Sequence, residues 1–145
     1  GKKFEMEISH HYGIEKFSKI GCFLFNCINR EYAKKIIVML PNQKHPLHFH
    51  RRKEETFQVL SGKLISYLNN KKYTLNPGDS LLVKPNTWHK FQSEKNGCIF
   101  EEVSTTHYND DSIYKDEKIN NTKREIRKTI VNKWGRFELS KKFDD

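Results

Sequence analysis

The stretch "HPLHFHRRKEETFQVLSG", residues 45–62, holds three histidines, two adjacent glutamates and a closing glycine. In extended chain successive side chains alternate between the two faces. His48 and His50 therefore share a face, and Glu55 opens the next extended segment, "ETFQVL" (55–60). Glu54 points to the opposite face once that strand has begun. His89 opens a later extended segment, after a Pro85-Asn86 turn. Three imidazoles and one carboxylate suit a divalent first-row ion (Mn, Fe, Co, Ni or Zn), with open positions left for substrate or water. His10, His11, His45 and His107 lack such a setting and are read as structural or surface histidines.

Working outward, residues 35–104 read as short strands separated by turn chemistry. "KKIIVML" (34–40) ends at Pro41-Asn42, and "ETFQVL" meets Ser61-Gly62 before "KLISYL" (63–68). Asn69-Asn70, Pro77-Gly78-Asp79 and Pro85-Asn86 separate "KKYTL" (71–75), "SLLVK" (80–84) and "HKFQS" (89–93). A turn at 94–97 leads into "CIFEEVS" (98–104). This spacing predicts an all-β sandwich or barrel. Residues 19–29 read as an additional strand. From Lys123 onward Ile126, Ile130, Val131 and Trp134 fall at helical spacing, which predicts a C-terminal helix packed on the barrel. The expected organisation is N-terminal extension strands in 1–34, a barrel core in 35–104, and a polar segment with the helix in 105–145.

A chain of 145 residues with net charge +9 is one domain by size. Its basic charge is spread along the chain without an aromatic-interleaved stripe, which argues against nucleic-acid binding. No apolar run approaches the length of a membrane helix, and no apolar signal segment is visible at the start. Three cysteines without a C-x-x-C pair fit a reducing, cytoplasmic setting. The missing initiator Met leads us to expect one domain of a longer chain.

The spacing of these residues resembles the cupin superfamily. Its first motif, G-x5-H-x-H-x(3,4)-E-x6-G, is matched by His48, His50, Glu55 and Gly62, with Asn42 where the opening glycine would stand. Its second, G-x5-P-x-G-x2-H-x3-N, is matched by Gly78 and His89. Lys84, Asn86 and Ser93 replace the proline, second glycine and asparagine; asparagine, like glycine, tolerates positive φ. The resemblance implies a single-domain double-stranded β-helix, or jelly-roll barrel, with a short C-terminal helical or extended tail and a metal held by His48, His50, Glu55 and His89.

Metal binding alone does not decide activity, and a second carboxylate bears on it. If 89–104 is a hairpin turning near 94–97, Glu102 shares the face of His89 and Glu101 points away; an odd loop or a bulge reverses this. A carboxylate beside a metal can move a proton between carbons next to a carbonyl. The bland role is a hydrogen bond to a ligand histidine. "LHFHRRKEE" (47–55) and "EEVSTTHYNDDS" (101–112) resemble cupin-type D-lyxose isomerases. That likeness implies manganese at the four ligands, Glu102 as proton-transferring base, and Lys53 orienting substrate or stabilising charge. "SHHYGI" (9–14), "INREY" (28–32) and "LPNQKHPLHFH" (40–50) resemble the cupin domains attached to N-acetylneuraminate synthase-like enzymes. This implies a sugar or sugar-acid ligand, surface-sugar or nonulosonic-acid metabolism, and a fused synthase domain as partner. The expectation is therefore a metal-dependent aldose–ketose isomerase. A non-catalytic sugar-binding or regulatory module and an iron-dependent dioxygenase are the alternatives. Family habit further implies a homodimer.

Overall fold

The computed structural model describes residues 5–131. Ten strands follow in chain order: β1 (Glu5–Ser9), β2 (Cys22–Asn29), β3 (Tyr32–Met39), β4 (Lys44–Phe49), β5 (Glu55–Leu68), β6 (Lys71–Leu75), β7 (Ser80–Val83), β8 (His89–Thr105), β9 (Ile113–Tyr114) and β10 (Lys128–Val131). Two four-residue helices, α1 (Glu117–Asn120) and α2 (Arg124–Arg127), precede β10. All pairing is antiparallel apart from an isolated parallel bridge between Ile20 and Lys44. The expected β architecture is present, and the strand read in residues 19–29 is β2.

Two long strands organise the sheet. One edge of β8 takes β3 alongside 98–105 and β4 alongside 89–92. The other edge takes β5 along its whole length. β5 in turn carries β7 on its first half and β6 on its second. The sheet thus folds over on itself, and alternate residues of its halves meet in one core. Phe57, Phe91 and Phe100 form its centre, their rings 5.3–5.5 Å apart in edge-to-face contacts. Ile37, Val59, Leu64 and Val83 close around them.

The turns expected at 61–62 and 94–97 are bends inside continuous strands. Pairing shifts register between Val59 and Ser61 and again between Gly62 and Leu64, as a bulge does. Gly62 (φ 76°) and Gly97 (φ 68°) adopt conformations that suit glycine. A Cβ on Gly62 would stand 2.3 Å from the Gly97 carbonyl oxygen, so the strands pass here without side chains between them. Asn42 (φ 57°) and Asn86 (φ 60°), at two positions where the resembling motif has glycine, also take left-handed backbone. Ser93, in the motif's asparagine position, accepts a hydrogen bond from Gln43 N at 3.1 Å and pins the β3–β4 connection.

The predicted C-terminal helix is corrected over its described part. Only Arg124–Arg127 is helical, and Lys128–Val131 pairs with β1, from Ser9↔Lys128 to Met6↔Val131. Ile126 and Ile130 are exposed at 64% and 39%, so they do not form the expected packing stripe. A run of β-branched Thr129, Ile130 and Val131 beside a free strand edge favours pairing over a helical turn. Trp134 lies outside the described residues.

Buried Glu7 on β1 holds β10 through Lys128, with Arg124 at 3.6 Å. Burial alone would push its carboxyl up, but Lys128, then Lys35 and Arg124, hold it below the ordinary 4.5. A depressed acid contributes stability above its unfolded pKa and loses it as pH falls through the folded one. Glu7→Gln should therefore lower the urea midpoint at pH 7, with the gap to wild type closing below pH 4.5. Gly62→Ala should cost about 2 kcal/mol or more, because it combines a forced positive φ with a clash against backbone. Urea unfolding with an unchanged slope reads that loss.

Candidate metal centre

The cluster expected from the spacing is assembled. One donor atom from each of His48, His50, Glu55 and His89 lies within 4.8 Å of the others, and all four residues are buried. His48 and His50 come from the end of β4, Glu55 is the first residue of β5, and His89 the first of β8. β4 and β8 set His48 directly opposite His89, with ring centroids 4.1 Å apart. β5 brings Glu55 in with the same alternation that turns Phe57 and Val59 into the core. Glu54 is exposed on the other face.

Each histidine is locked into one tautomer. Nδ1 of His48 meets Pro46 O at 3.0 Å, that of His50 meets Asp111 O at 2.8 Å, and that of His89 meets Thr87 O at 2.8 Å. A carbonyl oxygen only accepts, so every Nδ1 carries a hydrogen, and in the metal-binding form of each ring Nε2 offers the lone pair. His89 Nε2 lies 2.9 Å from Glu55 Oε1, and His50 Nε2 lies 3.5 Å from it. His89 Nε2 nevertheless makes no hydrogen bond. Close donors that face a common point without bonding one another fit an ion about 2 Å from each. Burial, then the charges of His89, His45 and His50, hold His48 neutral, as a ligand must be. Burial would push Glu55 up, but Lys53 and then His50 and His89 more than reverse this and keep it ionised. Three imidazoles and one carboxylate, with no thiolate, suit a divalent ion.

Beyond Glu55 lies Lys53, 3% exposed, its Nζ 2.9 Å from Glu55 Oε2. The same Nζ donates a 3.1 Å hydrogen bond to Glu102 Oε2. Burial works against the ammonium, but Glu102 and Glu55 hold Lys53 above the ordinary lysine range. Glu102 faces the interior and Glu101 faces outward, 3.6 Å from Lys34. The expected facing is observed, but the hairpin that suggested it is not. β8 runs on as one strand, with interior positions at 89, 91 and 93 and then at 98, 100, 102 and 104. The bend at 94–97 shifts the alternation, and without that shift Glu102 would lie outside.

Several further residues of the site had no clear signal in the chain. Asp111 accepts hydrogen bonds from the backbone N–H of Arg51 (2.9 Å), Arg52 (3.2 Å) and Lys53 (3.1 Å), while its own carbonyl orients His50. It is buried to 3% exposure, and the Asn-Asp-Asp segment was its only hint. His45 is no surface histidine: it stacks on Phe91 at 4.4 Å and lies 4.6 Å from the His48 ring. Burial, the first cause, pushes His45 down to about 3. His11 is buried too, and its Nε2 lies 3.2 Å from the Tyr114 hydroxyl. Tyr114 is paired to His48 through β9. These rings form a packed wall behind the ligand.

The family described as "Cupin domain" matches residues 35–101. The strand arrangement over these residues is the cupin fold. It is 29% identical over 136 residues to a protein of Thermosediminibacter oceani named D-lyxose/D-mannose isomerase, covering 74% of this chain and 75% of that one. It is 27% identical over 136 residues to a D-lyxose ketol-isomerase of Cohnella laeviribosi, with the same shares covered. The crystal structure of L-ribose isomerase from Geodermatophilus obscurus superposes with a TM-score of 0.69 at 14% identity, covering 79% of this chain and 81% of that one. This last likeness is one of fold. Among the described residues no helix is long and apolar enough to cross a membrane.

Asp111→Ala should weaken binding of a divalent ion about 10- to 100-fold, by releasing His50 and the 51–53 turn. Calorimetric titration of the metal-free protein measures the loss, and unchanged affinity would show that the turn holds without Asp111.

Proposed function

We propose that this cupin is a metal-dependent sugar isomerase that interconverts an aldose and a ketose. The reading rests on a carboxylate, Glu102, tied through one buried lysine to the metal-ligand carboxylate Glu55. A divalent ion held by His48, His50, Glu55 and His89 would supply Lewis acidity toward the carbonyl and hydroxyl oxygens of an open-chain sugar. Glu102 would take the proton from one carbon and return it to the neighbouring carbon. Lys53 orients that carboxylate. With its remaining donor it would meet negative charge on a substrate oxygen, since an ammonium has three donors. The apolar wall of Leu24, Ile37 and Phe91 beside these groups limits water, which strengthens each charge interaction.

Relatives named for D-lyxose and D-mannose support an aldose whose reacting carbons are C1 and C2. The proposal takes manganese as the ion, a homodimer as the assembly and the cytoplasm as the location. It places the reaction in surface-sugar or nonulosonic-acid metabolism, and each of these rests on the resemblance that raised it.

The deciding experiment is solvent-deuterium exchange at C2 of D-lyxose, followed by proton NMR on the manganese-loaded protein. Glu102→Gln should lower kcat about 10²- to 10⁴-fold while bound metal stays at the wild-type level. Full turnover in that variant would refute Glu102 as the base. A wild type that binds sugar without exchange would instead favour a non-catalytic module, and oxygen uptake by the ferrous protein would favour a dioxygenase.

A further inference from the structure

The isomerase reading leaves one buried charge unused. Lys35 lies on β3 directly opposite Glu102 of β8, so both share the interior face. It is 8% exposed. Among the described residues no carboxylate oxygen comes within ion-pair distance of its Nζ. Its hydrogen-bond partner is Nδ1 of His107, at 3.2 Å. That imidazole offers a lone pair and no counter-charge, because burial and the nearby Lys35, Lys53 and Lys128 push His107 down to about 2. His107 is itself fixed: its backbone N–H donates to Asn29 Oδ1 at 2.9 Å, and the Asn29 amide donates to its carbonyl at 3.0 Å.

The other interior charges are accounted for. Lys53 sits between Glu55 and Glu102, and Glu7 sits between Lys128 and Arg124. Lys53 with its two carboxylates is one negative charge in excess and Glu7 with its two cations one positive. Among the described residues Lys35 is the interior cation with no carboxylate in contact, and a divalent ion at the four ligands would leave the interior with surplus positive charge. A buried ammonium with no anion in contact is costly, and a bound anion would offset part of that cost. Burial, then the charge of Lys53, push Lys35 down to about 8, with Glu102 pulling the other way. It is therefore still largely protonated at neutral pH.

Its place gives the surplus a direction. Lys35 and His107 line the interior cavity that is also lined by His48, His50, Glu55 and Glu102. They also line a second cavity of about 340 Å³, bordered by Asn26, Asn29, Asn109 and Arg124. Glu7 and Glu5 border it too; Glu7 is neutralised by its two cations, and Glu5 is exposed and bonded by Asn26. The interior cavity is small, about 50 Å³, so a sugar with its carbonyl end at the cluster would have to extend into the 340 Å³ cavity, and Lys35 and His107 line both.

We propose that Lys35, positioned by His107, binds an anionic group at the end of the sugar remote from the metal, so that the substrate class is acidic sugars, either uronates or sugar phosphates. This inference rests on the isomerase reading for the sugar's orientation, and its test is a binding measurement that needs no turnover. D-mannose, D-mannuronate and D-mannose 6-phosphate differ only at the remote carbon, as neutral, carboxylate and phosphate forms. Calorimetry on the manganese-loaded protein should show at least one of the two anions binding tenfold or more tighter than D-mannose, and which one identifies the group. Raising salt should shrink the gap, as for any charge-driven preference. K35M, which keeps the aliphatic stem, should erase the preference and leave the D-mannose Kd within twofold; K35R should retain it. Circular dichroism establishes that the variants are folded, and H107Q, which loosens the lysine without removing it, should give a partial loss. Equal binding of all three sugars, failure of either anion to bind, or uniform weakening by K35M would overturn the proposal. Deuterium exchange on the same samples separates the two readings. A Lys35-dependent preference without exchange upholds the subsite and refutes the isomerase, and exchange without preference does the reverse.

Discussion

The close passage of Gly62 over Gly97 is the constraint on which the rest of the molecule depends. Two antiparallel strands can bend together only where neither carries a side chain into the gap, and both residues here take backbone that suits glycine. The bend lets the halves of β5 and β8 face one another across the three phenylalanines. It also resets the in–out alternation of β8, so that His89 on one half and Glu102 on the other both point inward. A packing device and a chemical one thus have the same origin. A regular strand of this length would have kept its metal ligand and sent its second carboxylate to solvent.

How much of this could be read in the chain follows from what each signal distinguishes. His48-x-His50 and Glu55 were legible because extended chain has a strict period of two and the donor types are rare in combination. Asn86 was legible as a glycine substitute through its tolerance of positive φ, which it shows; Asn42, which reads only as a departure from the motif's opening glycine, takes the same backbone. The bends at 61–62 and 94–97 were read as turns because glycine and Asn-Gly punctuate either arrangement alike. Only long-range pairing, which local sequence does not encode, tells them apart. Ile126 and Ile130 stand four apart, a spacing that suits one helix face and one strand face equally, and the free edge of β1 decided between them. Lys35 was hidden in a Lys-Lys pair within a basic chain, where nothing local separates a buried ammonium from a solvated one.

The electrostatics of the interior are built from a few fixed distances. Lys53 bridges the ligand carboxylate and the second carboxylate, at 2.9 Å and 3.1 Å. Each of the three imidazoles spends its N–H on a backbone carbonyl, which leaves its lone pair for the centre. The protein therefore fixes through its backbone which ring nitrogen faces the centre, before any ion arrives. That is preorganisation in the sense that matters for both binding and catalysis: little has to be reordered when charge appears.

The grip of Asp111 on the 51–53 turn has a thermodynamic corollary. One aspartate joins the loop after β8 to the backbone of Lys53 and, through its carbonyl, to the ring of His50. Anything that orders His50 must then order that loop, and anything that steadies the loop must favour His50 in place. Such linkage is reciprocal. Filling the centre should slow amide hydrogen exchange in residues 107–111, and a molecule that rests on those residues should tighten the hold on the ion by the same factor. The loop and the centre are joined by these hydrogen bonds, so the order of one bears on the order of the other.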